Sequence, residues 1–513
     1  METMMLVVRD GTKLATDLYL PAGEGPFPAM LARSMYGRGD ETYAIPFTEQ
    51  GIAVVIQDIR GMGDSEGNAP LFEADGWGSS QDATDTIEWI DKQAWSNGKI
   101  LTWGGSGLSY TQILAAAASK SITCQSIMVA PVGLYHYFTF MGGVWRKSML
   151  EGWLKGLGRD EMIDLWKSHP AEDEFWRSYD TTHRAAEITA PAILVGGWWD
   201  MFAQGLIDCF VSRQHDGGEN ARGQQKLIVG PWTHHVGDPP DEVGDLVLKP
   251  NQQLDVQALE RRFYRHWLLG EENGVMEEAN VRYYTLGALD DEDAPGNLWR
   301  MADDWPPLPT SQTSFYLHPQ NRLSAETAPD GGEYAFSYDP ADPCPTHGGG
   351  NYAFLPAGPF DQRQVSRRVD VLRFETEPLD APLEVTGRVR VKLTISSDAP
   401  DTDFTAKLVD IYPDGREILL LDGIRRLKFR NGYRRAEPLV PGTTGEIEID
   451  LWSISIIFNQ GHKIGLHISS SNYPRFEVNP NTGDDYPDDV TLRTANNTVY
   501  CGKSALILPV VAK

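Results

Sequence analysis

Three segments of this chain carry residues whose types and order could perform acyl transfer. In the first, Ile100-Leu101-Thr102-Trp103-Gly104-Gly105-Ser106-Gly107-Leu108-Ser109 runs from an apolar, strand-like stretch into an Ala-rich, helix-forming one. A serine at such a turn projects its hydroxyl above a sheet edge, and small neighbours are needed where strand and helix backbones pass close. Gly104, Gly107 and Ser109 meet that need. The N–H of Gly107 opens the helix and can donate to a developing oxyanion. A Gly-Gly-Ser-Gly string alone is often a flexible turn, and Leu108 stands where a G-x-S-x-G motif would place its last glycine. The position between strand and helix is what makes Ser106 the candidate nucleophile.

A serine hydroxyl is inert near neutral pH without a base in reach. Of the eleven histidines, His234 follows an apolar strand, Leu227-Ile228-Val229, and the turn Gly230-Pro231-Trp232-Thr233. A loop at the carboxyl end of a late strand can reach the turn at Ser106. His235 is the adjacent competitor. The base needs a carboxylate to fix its tautomer. Asp200 ends Ala192-Ile193-Leu194-Val195-Gly196-Gly197-Trp198-Trp199-Asp200, again just beyond a strand, and the alternative role for it is to cap a helix from Phe202. The order Ser106, Asp200, His234 is the one expected of α/β-hydrolases.

The elements that must position these residues follow from periodicity. Apolar runs at 29–32, 52–56, 100–103, 126–129, 192–195 and 227–229 alternate with helical patterns at 82–90, 109–120, 202–214 and 254–269. That alternation predicts a mostly parallel sheet covered on both faces. It is interrupted over 132–190, where Trp145, Trp153 and Trp166 lie on helical patterns. We read this stretch as a helical cap inserted between 1–131 and 191–284. These tryptophans, with Trp198 and Trp199, are candidates for the substrate pocket, the alternative being core. From 285 to 513 helices give way to short alternating strands, as in Val389 to Ile395, and to turns such as Pro413-Asp414-Gly415. This half is expected to be a jelly-roll β-sandwich.

Composition narrows the partners. A formal charge of −27 and a pI near 4.8 argue against nucleic acid and against anionic membranes. Cys124, Cys209, Cys344 and Cys501 have no metal-ligand spacing, so no metal is expected, and no cofactor. No basic-then-apolar leader opens the chain and no apolar run is long enough to span a bilayer. A cytoplasmic location is therefore expected, with oligomeric state open between monomer and homo-oligomer.

The motifs as a set resemble the CocE/NonD hydrolases, the group of cocaine esterase and the S15 X-Pro dipeptidyl-peptidases. The likeness rests on Asp58-Ile59-Arg60-Gly61-Met62-Gly63-Asp64-Ser65-Glu66-Gly67, on the serine turn, on Gly197-Trp198-Trp199-Asp200 and on Gly230-Pro231-Trp232-Thr233-His234. It continues through Ser397-Asp398-Ala399-Pro400-Asp401-Thr402-Asp403-Phe404 and Ser469-Ser470-Ser471-Asn472-Tyr473-Pro474-Arg475-Phe476. The resemblance implies an α/β-hydrolase domain with an inserted helical cap and a C-terminal jelly roll. It implies the triad Ser106, Asp200 and His234, and an oxyanion hole made by the Gly107 N–H and the Tyr36 hydroxyl. Members of the family often carry a bulky aromatic after the nucleophile and a glycine three residues beyond it. Gly107 and Ser109 stand there, so a wider acyl pocket is expected beside Ser106. The α-amino-acid ester hydrolases are similar too, but they bind an ammonium with acidic residues near the triad. Here Met201-Phe202 follows Asp200, which disfavours amino esters.

The expected function is hydrolysis of a carboxylic ester or amide of a small, apolar or aromatic acyl compound. The rival readings are an X-Pro-type dipeptidyl-peptidase, an acyl-amide hydrolase or acyltransferase, and a protein that binds carbohydrate or a partner through its jelly roll. A dipeptidase needs a cap carboxylate for the substrate amine, and Glu151, Asp160, Glu161 and Asp164 are the candidates.

Overall fold

The computed structural model describes residues 1–39, 41–236, 239–328, 331–485 and 491–512. Ten strands form the first sheet, in the spatial order Glu2–Val7, Lys13–Tyr19, Ala53–Asp58, Phe27–Ser34, Ser96–Gly105, Cys124–Met128, Ala192–Gly197, Lys226–Gly230, Val281–Thr285, Leu298–Ala302. From Ala53–Asp58 to Val281–Thr285 all neighbours are parallel, and the outer pairings are antiparallel. The alternation of side chains explains why the central strands read as continuous apolar runs. Met30, Ala32, Val54 and Ile56 pack on one face with Val256, Phe263 and Leu268 of the helix Val256–Leu269. Ala29, Leu31 and Val55 pack on the other with Ile87, Ala115 and Ala116, from the helices Asp82–Asp91 and Gly107–Ala118. A strand covered on both sides has no polar face to show.

The cap lies between Met128 and Ala192. It contains a π-helical turn at Tyr135–Thr139 and the helices Lys147–Gly156, Glu161–Lys167 and Glu174–Arg177. The first sheet extends beyond 284. The strand Leu298–Ala302 pairs antiparallel with Val281–Thr285, so strands of the first sheet run on past 284. The texture change near 285 marks only the end of the helices.

The second sheet begins at Thr310–His318 and is almost wholly antiparallel. Its long strands Leu383–Ser397 and Thr444–Phe458 pair along their whole length, with a bulge between Val389 and Arg390. Val389, Val391, Leu393 and Ile395 are buried, while Lys392 between them is exposed. The turn at Gly415 (φ +85°) joins Asp403–Ile411 to Glu417–Arg426. Trp199 Nε1 donates to the Leu420 carbonyl at 3.2 Å, which ties the loop after Ala192–Gly197 to this domain. All four cysteines are buried and unpaired. No helix among the described residues is long and apolar enough to cross a membrane.

Candidate active site

Ser106 stands between the strand Ser96–Gly105 and the helix Gly107–Ala118 at φ +57°, ψ −122°, a conformation non-glycine residues avoid. Such a backbone costs on the order of 1–3 kcal/mol and persists only where its surroundings hold it. The Ser106 N–H donates to Met128 O at 2.9 Å, and Ser106 O accepts from Ser109 and Tyr110. Gly104 has φ +139°, and a Cβ there would lie 2.6 Å from Leu108 Cβ. Leu108 thus packs directly over the glycine, so the close approach needs only one small residue. Ser109 has its own role: its hydroxyl accepts from Met128 N at 2.8 Å and donates to the Gly104 carbonyl.

Gly107 is a place where the sequence expectation fails. A Cβ on it would lie 2.5 Å from Met35 Sδ and 2.9 Å from Tyr36 Oη. The space beside the serine is filled by these two side chains, so the absent aromatic does not leave a wider pocket there. The Tyr36 phenol is drawn up in pKa by burial, and down by the Trp153 N–H and the neighbouring Ser106 hydroxyl. It is therefore a protonated donor at neutral pH. About half of the residue's surface is exposed, while its hydroxyl end faces the serine. Trp153 Nε1 donates to Tyr36 Oη at 3.1 Å, which leaves the phenolic proton to point elsewhere. The loop carrying Tyr36 is held by Arg38, which bonds Asp17 at 3.0 Å, Asp64 at 2.9 Å and Asp58. Asp58 and Asp64 belong to the Asp58–Gly67 motif, so that segment anchors the tyrosine loop.

His234 Nδ1 lies 2.5 Å from Asp200 Oδ2. With the proton on Nδ1 donated to the carboxylate, Nε2 carries the lone pair. The other oxygen, Oδ1, accepts from Phe202 N at 2.8 Å in a turn just ahead of the helix Ala203–Asp216, whose N-cap is Phe202 and not Asp200. The loops bearing the pair are joined backbone to backbone. Trp198 N donates to Gly230 O at 2.9 Å and Trp199 N to Trp232 O at 3.0 Å. A Cβ on Gly197 would lie 2.2 Å from Trp232 O, which is why Gly-Trp-Trp-Asp and Gly-Pro-Trp-Thr-His occur as partners.

Ser106 and His234 line one cavity of about 880 Å³. Phe47, Trp103, His235, Glu260, Tyr264 and Tyr352 line it as well. Trp145, Trp166, Trp198 and Trp199 do not: each is at most 2% exposed. Trp145 and Trp166 pack inside the cap against Phe140, Trp176 and Phe138. Trp198 donates to Tyr284 O. Their size and apolarity serve the core. Trp153 alone of the five reaches the site, through Tyr36. It stacks on Phe72 and meets Phe138 edge-on at 5.2 Å; Phe138 stacks on Phe202, whose ring faces His234 at 5.8 Å. Tyr352, from the C-terminal domain, packs edge-on against the His234 ring at 4.9 Å. Nothing in its local sequence announces this, because the contact spans more than a hundred residues. Among the described residues no cluster of side chains could hold a metal ion.

Fold and residues together define an α/β-hydrolase with an inserted cap and a C-terminal β-domain, and the comparisons give the class its chemistry. Residues 10–160 and 147–236 match the model of the X-Pro dipeptidyl-peptidase (S15 family), and 273–505 match the X-Pro dipeptidyl-peptidase C-terminal non-catalytic domain. Cocaine esterase of Rhodococcus sp. (strain MB1 Bresler) is 33% identical, over 99% of this chain and 98% of its own. An aminopeptidase from a Thaumarchaeota archaeon superposes with a TM-score of 0.84 at 24% identity, covering 100% of this chain and 96% of its own. A CocE/NonD family hydrolase from Staphylococcus aureus superposes at 0.77 with 19% identity, covering 99% and 93%. The chain belongs to the CocE/NonD family and is a serine hydrolase.

Proposed function

We propose that this hydrolase cleaves carboxylic esters of small apolar or aromatic acyl groups through Ser106, His234 and Asp200. The observation that carries the reading is the His234–Asp200 bond beside a cavity that also holds the strained Ser106 turn. His234 Nε2 takes the Ser106 proton as Oγ attacks the carbonyl. The Tyr36 hydroxyl and the Gly107 N–H receive the oxyanion, and His234 returns the proton to the leaving oxygen. Water then attacks the acyl-enzyme by the same route, releasing acid and restoring Ser106. The rings of Phe72, Phe138 and Trp153 next to Tyr36 favour an apolar or aromatic acyl group.

The cap carboxylates do not favour a dipeptidase. Glu151 is paired with Lys147 at 2.9 Å and Glu161 with Arg159. Asp160 and Asp164 are exposed, and none of the four lines the cavity. The test is turnover of p-nitrophenyl acetate, butyrate and benzoate with a fluorophosphonate label. Turnover and labelling are expected in the native chain and lost in Ser106→Ala. Labelling that persists in Ser106→Ala refutes the assignment.

A further inference from the structure

Between positions 425 and 435 the chain carries six basic residues, Arg425, Arg426, Lys428, Arg430, Arg434 and Arg435, and no acidic one, although its formal charge is −27. Two of them are buried and paired: Arg426 with Asp403 at 2.9 Å and Lys428 with Asp485 at 2.5 Å. Arg425 and Arg430 instead line a cavity of about 590 Å³ at the seam between the cap and the C-terminal domain. Backbone bonds close that seam, from Arg426 N to Gly142 O at 2.9 Å and from Glu172 N to Tyr433 O at 3.0 Å. No residue lines both this cavity and the one that holds Ser106.

Among the described residues no carboxylate forms an ion pair with Arg425 or Arg430. The Arg425 guanidinium lies 3.9 Å from the centre of the Tyr433 ring. Its Nη2 donates to the Phe429 carbonyl at 2.6 Å, and its Nε is buried without a partner. Burial lowers Arg425 to about 10, against the pull of Glu448 and Asp450, so it remains a cation at neutral pH. The two carboxylates in the lining are engaged by other arginines: Asp450 accepts from Arg388 Nε at 3.0 Å, and Glu448 faces Arg390 at 3.6 Å. The lining therefore holds four guanidinium groups and two carboxylates, a local positive excess on an acidic protein. A buried cation with an unmatched donor is unfavourable until an anion meets it.

The rest of the lining is apolar. Met141, Ile424 and Trp452 belong to one hydrophobic cluster, each at most 7% exposed, and all three border the cavity. Guanidinium groups beside an apolar, aromatic surface suit an organic carboxylate. The planar fork matches the two carboxylate oxygens, and the rings take the body of the ligand. An inorganic anion would leave the apolar surface unused.

We propose that this cavity is a second binding site, separate from the catalytic one, for a small aromatic carboxylate whose anion meets Arg425 and Arg430 and whose ring packs on Ile424 and Trp452. The site stands whether or not the hydrolase reading does. It is tested by calorimetric titration of 2-naphthoate into the full chain after fluorophosphonate treatment, which blocks the catalytic cavity. Saturable binding is expected, weakened about tenfold or more in Arg425→Gln. The neutral 2-naphthamide and inorganic phosphate are each expected to bind about tenfold or more weakly than 2-naphthoate. Absence of 2-naphthoate binding, equal binding of the amide or of phosphate, or an unchanged affinity in Arg425→Gln overturns the proposal. A circular dichroism melt shows whether Arg425→Gln folds. Should it not, Arg430→Gln carries the same expectation, and an unchanged affinity there overturns the proposal equally. A chain that takes no label is titrated untreated, with the loss in the arginine variants still deciding.

Discussion

Replacing Gly107 by alanine adds one methyl group to a helix start whose backbone is not in the left-handed region. Alanine is the better helix former, so folding is not expected to suffer from the backbone. The new Cβ would meet Met35 Sδ at 2.5 Å and Tyr36 Oη at 2.9 Å, where ordinary contact begins at 3.4 Å. Met35 can swing its flexible end away. Tyr36 is held through Arg38 and Trp153, and its hydroxyl would have to retreat by roughly half an ångström. Losing an oxyanion donor outright lowers kcat about 10²–10³-fold, and a displacement of about 1 Å can cost 10²-fold. About a tenfold fall in kcat is therefore expected for Gly107→Ala, and about 10²–10³-fold for Tyr36→Phe. The assay is steady-state turnover of p-nitrophenyl butyrate, with a circular dichroism melt to show that the fold is retained. A Gly107→Ala enzyme with native kcat and native melting temperature would refute the claim that the Tyr36 hydroxyl must stay where it is.

Trp153→Phe keeps an aromatic ring but removes the N–H that donates to Tyr36. A several-fold fall in kcat with little change in KM is expected, on the order of one lost hydrogen bond, and a change confined to KM would assign Trp153 to substrate packing instead. Asp200→Asn should lower kcat by about 10⁴-fold at neutral pH by stabilising the wrong His234 tautomer; stopped-flow acylation rates check this. Glu260 is held by burial above the ordinary value of 4.5, at about 7, so the folded chain binds that proton more tightly than the unfolded one. Its favourable contribution is complete below about pH 4.5 and is lost as pH rises through about 7. Glu260→Gln should therefore melt progressively higher than the native protein between pH 5 and 8, by a stability difference of roughly 3 kcal/mol at most. A melting-temperature gap that is constant across that range would contradict the burial argument.

The parallel sheet was legible because strands buried on both faces leave apolar runs such as 52–56 and 192–195, and because each chemical residue follows one of them. Ser106, Asp200 and His234 were singled out by that local punctuation, and the structure sets His234 against Asp200 and places Ser106 and His234 on one cavity. The tryptophans were not, since a large ring is equally suited to a core and to a pocket wall, and only packing distinguishes Trp166 from Trp153. The space at Gly107 was misjudged for a related reason: its occupant, Met35, comes from a different strand end. Glu260 reads as an ordinary helix glutamate, and only the neighbouring Ser126 strand turns it inward. An antiparallel hairpin, 281–302, completes the parallel sheet, so strands of the first sheet run on past the change of texture near 285.

The loop around Tyr352 gives the β-domain a share in the cavity that holds Ser106 and His234. Gly350 passes so near the Asp200 carbonyl that a Cβ would lie 3.3 Å from it, and Phe354 presses on Gly152 of the cap helix. One short stretch of the C-terminal half thus leans on the imidazole, the aspartate turn and the cap together. An N-terminal fragment carrying Ser106, Asp200 and His234 would still lack the wall that Tyr352 gives to the cavity. Exchange of C-terminal domains between relatives should therefore alter turnover as well as solubility, and this half of the molecule is a place to seek substrate preference by mutation.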